Sequence, residues 1–203
     1  MTLTATFLNG TLNASPAESS TDVMLDLFRD ALSALDVTGE ATIRLADHQI
    51  PPGVSHDEGD GDEWPGIRDA ILASQILVFA APIWMGHPSS IAQRAMERLD
   101  AFIAETDDRG QMPPVDRVAL IGVVGNEDGA HLVGSQLAQC LTDLGFTVPA
   151  NPMAYWVGEA MGSVDFKDLP EAPDKVQSMV EAAAANGVHL ARLLADKPYP
   201  ALD

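Results

Sequence analysis

The chain has 203 residues, of which 46% are hydrophobic, and its 30 acidic and 11 basic residues give a formal net charge of -19. This length fits one domain over 1–203, and the apolar share is enough to build a large core. So acidic a surface repels phosphate backbones, which excludes nucleic acid as a partner.

The apolar runs and the single cysteine exclude further classes of protein and site. The longest runs, ILVFAAPIWM and VALIGVV, have the length of strands and fall far short of the roughly 20 residues of a membrane-spanning helix. The N-terminus MTLTATFLNG lacks the basic region of a signal peptide, so we expect a cytoplasmic protein without a membrane span. Cys140 is the only cysteine, so we expect no cysteine-ligated metal centre and predict no metal site.

Strand-like and helix-like apolar spacings alternate along the first half of the chain. They predict, in order, a strand over 3–10, a helix from Ser20, a strand over 41–46, an irregular segment over 47–61 and a helix over 63–74. The acidic run HDEGDGDEW, residues 56–64, lacks the glycine and the terminal glutamate that a calcium loop requires at fixed positions. We therefore interpret this run as a solvated loop.

The second half continues the alternation. QILVFAAP and DRVALIGVVGN are continuously apolar, as strands buried on both faces are. A helix from Ser89 or Ser90 to Ile103 would bury one face and leave Gln93 and Arg98 on the polar face. A helix over 130–145, a last strand within FTVPANPMAYWVG and a closing helix over 174–196 complete the pattern.

This alternation predicts the fold class. Five strands alternating with five helices favour an α/β, doubly wound parallel sheet in three layers, with the flavodoxin-like order 2-1-3-4-5. Ligands of such sheets bind outside the carboxyl ends of the strands, near the point where the strand order reverses. The loops after strands one, three and four are therefore the candidate site.

The loop after the first strand, NGTLNASPAESSTD, contains neither a dinucleotide-binding glycine fingerprint nor a P-loop. It is rich in hydroxyls and amides and leads into a helix, whose N-terminal N–H groups suit a phosphate monoester. Serines at such a place are also ordinary helix caps. No Lys or Arg occurs between Asn9 and Asp22, so neutral donors would have to hold the phosphate.

The other two loops differ from each other in chemistry. After the third strand, APIWMGHP places large apolar side chains in a predicted turn, where Trp84 would contact either a ligand or a second subunit. After the fourth strand, VGNEDGAH combines glycines, which allow close backbone approach, with polar side chains. A phosphate cradle, an apolar ledge and a polar turn at one edge of the sheet suit flavin mononucleotide, FMN.

Three segments carry a resemblance to a known family. FLNGTLNASPAESSTD, APIWMGHPSSIAQRAMERLDA and GNEDGAHLVGSQLAQCLTDLGFTVPAN resemble the corresponding segments of flavodoxin-fold NADPH-dependent FMN reductases, which are related to WrbA-type quinone reductases and to iron–sulfur flavoproteins. The resemblance implies contacts to the FMN phosphate from Thr11, Asn13, Ser19, Ser20 and Thr21. It implies contacts to the flavin ring from Pro82, Ile83, Trp84, Met85 and Gly86, and contacts to the ring edge from Gly125, Asn126, Glu127, Asp128 and Gly129.

The resemblance also implies an activity. An FMN-dependent oxidoreductase would take electrons from NADPH or NADH and pass them to a small acceptor such as a quinone or a flavin, with no catalytic side chain assigned. Two departures stand out: the first loop lacks the arginine that many relatives carry, and the cysteine cluster of iron–sulfur flavoproteins is missing. The alternatives are an electron carrier without nicotinamide activity and a flavin-free binding domain.

Members of the family commonly form homodimers or homotetramers, so we expect a homo-oligomer. The segment NPMAYWVGEAMGSVDF, residues 151–166, would then either cover a partner's flavin or fold onto its own subunit.

Overall fold

A computed structural model describes residues 2–202 of the chain. Its strands are β1 (Leu3–Asn9), β2 (Val37–Arg44), β3 (Ile76–Trp84), β4 (His87–Pro88), β5 (Val118–Gly125) and β6 (Met153–Val157). Its helices are α1 (Ser20–Ser33), α2 (Trp64–Ala73), α3 (Ser90–Leu99), α4 (Ala130–Asp143) and α5 (Asp174–Asp196). Within residues 2–202, no helix is both long and apolar enough to cross a membrane.

The sheet has the predicted order. Five parallel strands run β2-β1-β3-β5-β6, which is 2-1-3-4-5 when the parallel strands alone are counted. The two-residue strand β4 was not predicted; it pairs antiparallel with the end of β3. The flavodoxin-like fold class is confirmed, and the carboxyl ends of β1, β3 and β5 lie side by side at one edge.

The sequence of β3 is apolar at every position because both faces of the strand pack against helices. Leu77 and Phe79 pack into a core shared with α2, α3 and α4, whereas Val78 and Ala80 pack into a second core shared with α1 and α5. Successive side chains of a strand point to opposite faces, so a strand covered by helices on both sides needs no polar position. The result is the predicted three-layer arrangement.

The bounds of β2 and of α3 differ most from the prediction. Strand β2 spans Val37–Arg44 rather than 41–46, because it is an edge strand held by pairing with β1 while four of its eight residues remain exposed. Helix α3 ends at Leu99 and continues as a 3₁₀ turn, Asp100–Ala104. Its N-cap is Ser89, whose side chain accepts a hydrogen bond from the backbone N–H of Ala92.

The acidic run over 56–64 is not a freely solvated loop, and Arg98 does not lie on a polar helix face. The Arg98 side chain is 0% exposed and donates to the backbone oxygens of Pro51, Ser55 and His56 at 3.0–3.2 Å. It also donates to the Asp62 carboxylate at 2.6 Å, and that carboxylate is itself 0% exposed. A buried ion pair therefore attaches the long segment before α2 to helix α3.

Candidate functional site

A cavity of about 670 Å³ opens at the carboxyl ends of β1, β3 and β5. Its volume lies in the range of small-molecule sites, about 300–1,000 Å³. Every residue predicted for the site lines this cavity except Gly86, Asp128 and Gly129. The lining comes from four segments: residues 11–13 with 18–21, residues 82–85, residues 124–127, and a set from the C-terminal part of the chain that comprises Trp156, Met161, Asp165, Phe166 and Lys167.

The loop after β1 is shaped by side chains that do not line the cavity. The Asn9 side-chain oxygen accepts from the Thr11 N–H at 2.8 Å, and its amide donates to Asp22 at 2.5 Å. Arg44, at the end of β2, pairs with the same Asp22 carboxylate and donates to the Ala17 carbonyl at 2.6 Å. The backbone of this loop is therefore held in place before any ligand arrives.

The N-terminus of α1 forms the polar end of the cavity. Ser19 is the N-cap, and its hydroxyl accepts from the Thr21 N–H at 3.1 Å. The Ser20 hydroxyl accepts from the backbone N–H of Lys167 at 3.2 Å. Each of these hydroxyls keeps its own hydrogen to donate, and the first N–H groups of a helix have no acceptor within the helix. This end of the cavity therefore suits an anion such as a phosphate ester.

The apolar stretch after β3 is a hairpin rather than an irregular turn. Strand β3 continues through Pro82 to Trp84, which pairs with His87 of β4. Only Met85 and Gly86 form the turn, with φ values of 52° and 77°. Two consecutive positive φ angles are typical of a type I′ hairpin turn. The hairpin presents Trp84 and Met85 with 55% and 87% of their surfaces exposed.

The loop after β5 supports this hairpin. The Glu127 carboxylate accepts from the Met85 N–H at 2.7 Å. At Gly129, with φ 129°, a Cβ atom would lie 2.8 Å from the Gly86 Cα. The absence of a Cβ at Gly129 thus lets the two backbones touch. Asp128 is exposed, and its carboxylate accepts from the Gly129 N–H at 2.8 Å.

A fourth wall was not among the predicted site residues. The rings of Trp156 and Phe166 stack with centroids 5.2 Å apart, and the Asn126 side chain donates to Asp165 at 2.8 Å. Trp156 lies in β6, which pairs with β5, so this wall comes from the same chain as the rest of the cavity. The aromatic and methionine residues of segment 151–166 hinted at a flavin contact, but nothing in the local pattern indicated Lys167. The other lining residues outside the prediction are Leu12, Glu18 and Val124.

The donor set and shape of the cavity fit FMN. Hydroxyls and N–H groups at the start of α1 match a phosphate, and the apolar surfaces of Ile83, Trp84 and Trp156 match a planar ring. Asn126 offers a polar side chain near the ring-sized space. These are the features of a site that orients a flavin by a few polar contacts on an apolar surface.

Comparisons with known proteins agree with this geometry. Residues 8–161 match the sequence model of the NADPH-dependent FMN reductase family. The 8-demethyl-8-aminoriboflavin-5'-phosphate synthase of Streptomyces davaonensis is 33% identical over 211 aligned positions, which cover 98% of this chain and 81% of that protein.

Two solved structures extend the comparison. A crystal structure of RosB with the bound intermediate 8-demethyl-8-formylriboflavin-5'-phosphate is 32% identical, with a TM-score of 0.87, over 97% of this chain and 82% of that one. An apo NADH:FMN oxidoreductase, EMOB, shares the fold at 16% identity, with a TM-score of 0.68, over 98% of this chain and 94% of that one. The chain therefore belongs to the NADPH-dependent FMN reductase family and is a flavin-related oxidoreductase.

Proposed function

We propose that the protein binds FMN in the cavity, takes electrons from NADPH or NADH, and passes them to a small acceptor such as a quinone or a second flavin. The observation that carries this proposal is the cavity itself, which joins the polar N-terminus of α1 to an apolar, tryptophan-lined hairpin at the edge of a flavodoxin-like sheet. Membership of the FMN reductase family supports it.

The phosphate of FMN would be held by the loop after β1 and the start of α1, through Thr11, Asn13, Ser19, Ser20 and Thr21. The ring would contact the hairpin through Pro82, Ile83, Trp84 and Met85, and its polar edge would meet Gly125, Asn126 and Glu127. All of these residues line the cavity. Gly86 and Gly129 would act by holding the hairpin against the next loop, as their close approach indicates.

Hydride transfer itself needs no acid or base from the chain, and we assign no catalytic side chain. When bound, FMN supplies the hydride chemistry, while the protein supplies binding, orientation and electrostatics. Backbone N–H groups of the hairpin and of the loop after β5 would stabilise negative charge on the reduced ring. The exposed surfaces of Trp84 and Met85 would shield the ring from water on one side.

The test is a titration of the purified protein with FMN, followed by oxidation of NADPH and of NADH. We expect saturable FMN binding and nicotinamide oxidation that depends on bound FMN. Trp84→Ala should weaken FMN binding, whereas Leu193→Ala, which removes an apolar side chain of α5 with 47% exposure, should not. FMN binding without nicotinamide oxidation would instead indicate an electron carrier, and a protein that binds no flavin would refute the proposal.

A second candidate function follows from the similarity to the aminoriboflavin phosphate synthase, which spans nearly the whole chain. In this alternative the flavin phosphate is the substrate and leaves the site with a changed ring. Releasing the bound chromophore by heat and determining its mass separates the two functions. FMN that is recovered unchanged after many turnovers of nicotinamide oxidation supports the reductase, whereas a flavin of different mass supports the second candidate.

We also propose that the protein forms a homodimer or a homotetramer. Large apolar side chains with substantial exposure surround the mouth of the cavity, namely Leu12, Trp84, Met85 and Met161. An exposed apolar patch of this kind is typical of an interaction surface. Size-exclusion chromatography with light scattering tests this proposal, and a monomer at working concentration would refute it.

A further inference from the structure

The cavity is lined by more acidic than basic side chains, and this excess of negative charge disfavours an anionic ligand. Glu18, Glu127 and Asp165 are acidic, and Lys167 is the only basic residue among the lining residues in the described part of the chain. The Glu127 carboxylate accepts a hydrogen bond from the Met85 N–H but keeps its negative charge without a cationic partner among the lining residues in the described part of the chain other than Lys167. Without Lys167, a phosphate at the start of α1 would face acidic side chains with no cation in the cavity wall.

Arg44, the other cation that contacts the loop after β1, does not take this role. The loop after β1 contains no Lys or Arg between Asn9 and Asp22. Arg44 reaches the loop from β2, but its guanidinium is 11% exposed, pairs with Asp22, and is absent from the cavity lining. Arg44 therefore shapes the loop and does not face the ligand.

Lys167 is anchored next to the proposed phosphate position. It lies in the 3₁₀ turn Phe166–Asp168, whose start is closed by reciprocal hydrogen bonds between Asp165 and Asp168. Its backbone N–H donates to the hydroxyl of Ser20, the first residue of α1, at 3.2 Å. The backbone contact fixes the lysine against the helix N-terminus, while the long side chain remains able to move.

The side chain of Lys167 is available to a stronger acceptor. Its ammonium group lies 2.8 Å from the Asp168 carboxylate, with exposures of 26% and 45% for the two side chains. An exposed pair of this kind contributes little to stability, so a phosphate dianion can compete for the ammonium group. The hydrogen bond to Asp168, together with the charges of Asp168, Asp165 and Glu18, raises the pKa of Lys167. The lysine therefore stays protonated at any physiological pH.

We infer that Lys167 is the phosphate-recognising cation of the site and makes it select phosphorylated flavin over riboflavin. The inference rests on the proposed binding of FMN in this cavity. The loop after β1 has no cation for the phosphate, and Lys167 would supply one from a segment that is distant in sequence. Lys167 lies beyond residues 8–161, the part of the chain that matches the family model. The selectivity is therefore assigned to this chain's own C-terminal segment.

The test measures the affinities of FMN and of riboflavin separately, by equilibrium dialysis read from flavin absorbance, for the wild-type protein and three variants. Lys167→Met removes the charge and keeps most of the side-chain length. Lys167→Arg keeps the charge. Lys175→Met is the matched control, because it changes the net charge equally at an exposed position in the first turn of α5, outside the cavity.

We expect Lys167→Met to weaken FMN binding about tenfold to a hundredfold, the usual effect of losing a charged hydrogen bond, and to change riboflavin binding less than about twofold. Lys167→Arg should restore most of the FMN affinity, and Lys175→Met should change neither ligand. The wild-type affinity for FMN should fall with added salt more steeply than that of Lys167→Met.

Three results would overturn the inference: unchanged FMN affinity in Lys167→Met, equal losses for FMN and riboflavin, or an equal loss in Lys175→Met. Failure of the proposed function has a different signature, since the wild-type protein would then bind neither flavin.

Discussion

The buried ion pair between Asp62 and Arg98 gives a sharp prediction about stability. The change is Asp62→Asn, which keeps the shape of the side chain and removes its charge. One Asp62 oxygen accepts from Arg98 at 2.6 Å and from the Glu58 N–H at 2.9 Å, and the other accepts from the Trp64 N–H at 2.9 Å. An asparagine at this position would point its NH₂ group either at the donors of Arg98 and Glu58 or at the N–H of Trp64. It would also leave the Arg98 charge buried without a counter-ion.

The expected loss of folding free energy is set by a lower and an upper figure. Burial alone would raise the pKa of Asp62, but the hydrogen bonds from Arg98, Glu58 and Trp64 and the charge of Arg98 outweigh it and lower the pKa from 3.8 to about 2. That shift corresponds to about 2 kcal/mol of stability at neutral pH. Breaking one partner of a buried pair costs about 3–5 kcal/mol. We therefore expect Asp62→Asn to lower the free energy of unfolding by about 3 kcal/mol.

The assay is equilibrium unfolding in urea, followed by far-ultraviolet circular dichroism. With a urea dependence of roughly 2–3 kcal/mol per molar, the midpoint should fall by about 1 M. The control is Asp69→Asn, which removes the same charge from an aspartate of α2 with a 76% exposed side chain that pairs with the adjacent Arg68. The control should shift the free energy of unfolding by less than about 0.5 kcal/mol.

The pH dependence provides the refutation. Because the folded pKa of Asp62 lies below the unfolded value, its contribution is fully present above about pH 4 and is lost as the pH falls towards 2. The stability difference between wild-type protein and Asp62→Asn should therefore shrink over that window. A difference that stays constant from pH 6 to pH 2.5, or a loss no larger than that of Asp69→Asn, would show that the pair does not stabilise the fold as argued.

Three further predictions concern the hairpin and the cysteine. Glu127→Ala removes the acceptor of the Met85 N–H, so it should loosen the turn at Met85 and weaken FMN binding several-fold in dialysis. It should lower the free energy of unfolding by about 1 kcal/mol or less. An unchanged FMN affinity would show that this hydrogen bond does not support the site. Gly129→Ala forces a Cβ to within 2.8 Å of the Gly86 backbone at a φ of 129°, so we expect a loss of about 2 kcal/mol in urea unfolding, and a neutral result would refute the close packing. Burial raises the pKa of the Cys140 thiol to about 12, so roughly one thiol in ten thousand is ionised at pH 8, and a thiolate-selective disulfide reagent should react far more slowly with the native than with the urea-unfolded protein. Equal reaction rates in the two states would contradict the raised pKa of this half-buried thiol.

Much of the fold was readable from local sequence patterns. The unbroken apolar run before Pro82 predicted a strand buried on both faces, and β3 has that character. The serines of the loop after β1 were interpreted as possible helix caps, and Ser19 is the cap of α1. Because the ends of neighbouring parallel strands meet at one edge, the fold class alone indicated which loops would meet, and most of the predicted residues line one cavity there. That these residues hold FMN, and that residues 1–203 form a single domain, stay predictions.

Other features lay beyond local patterns. The prolines and glycine of the stretch after β3 suggested a turn throughout, whereas Pro82 and Trp84 belong to the strand. Arg98 occupies a position that helical spacing assigned to the polar face, yet it is buried. Its partner Asp62 lies in an acidic run that composition marks as solvated.

By itself, the sequence determined the alternation of strands and helices, the fold class and the loops that form the candidate site, because apolar periodicity is a property of neighbouring residues. Only the tertiary structure decided that Asp62 is paired with Arg98 and that Lys167 stands beside Ser20, 147 positions away. A charged side chain looks the same in sequence whether it meets water or a distant counter-charge. Its burial and its role depend on which remote segment the fold packs against it, and that information is absent from local spacing.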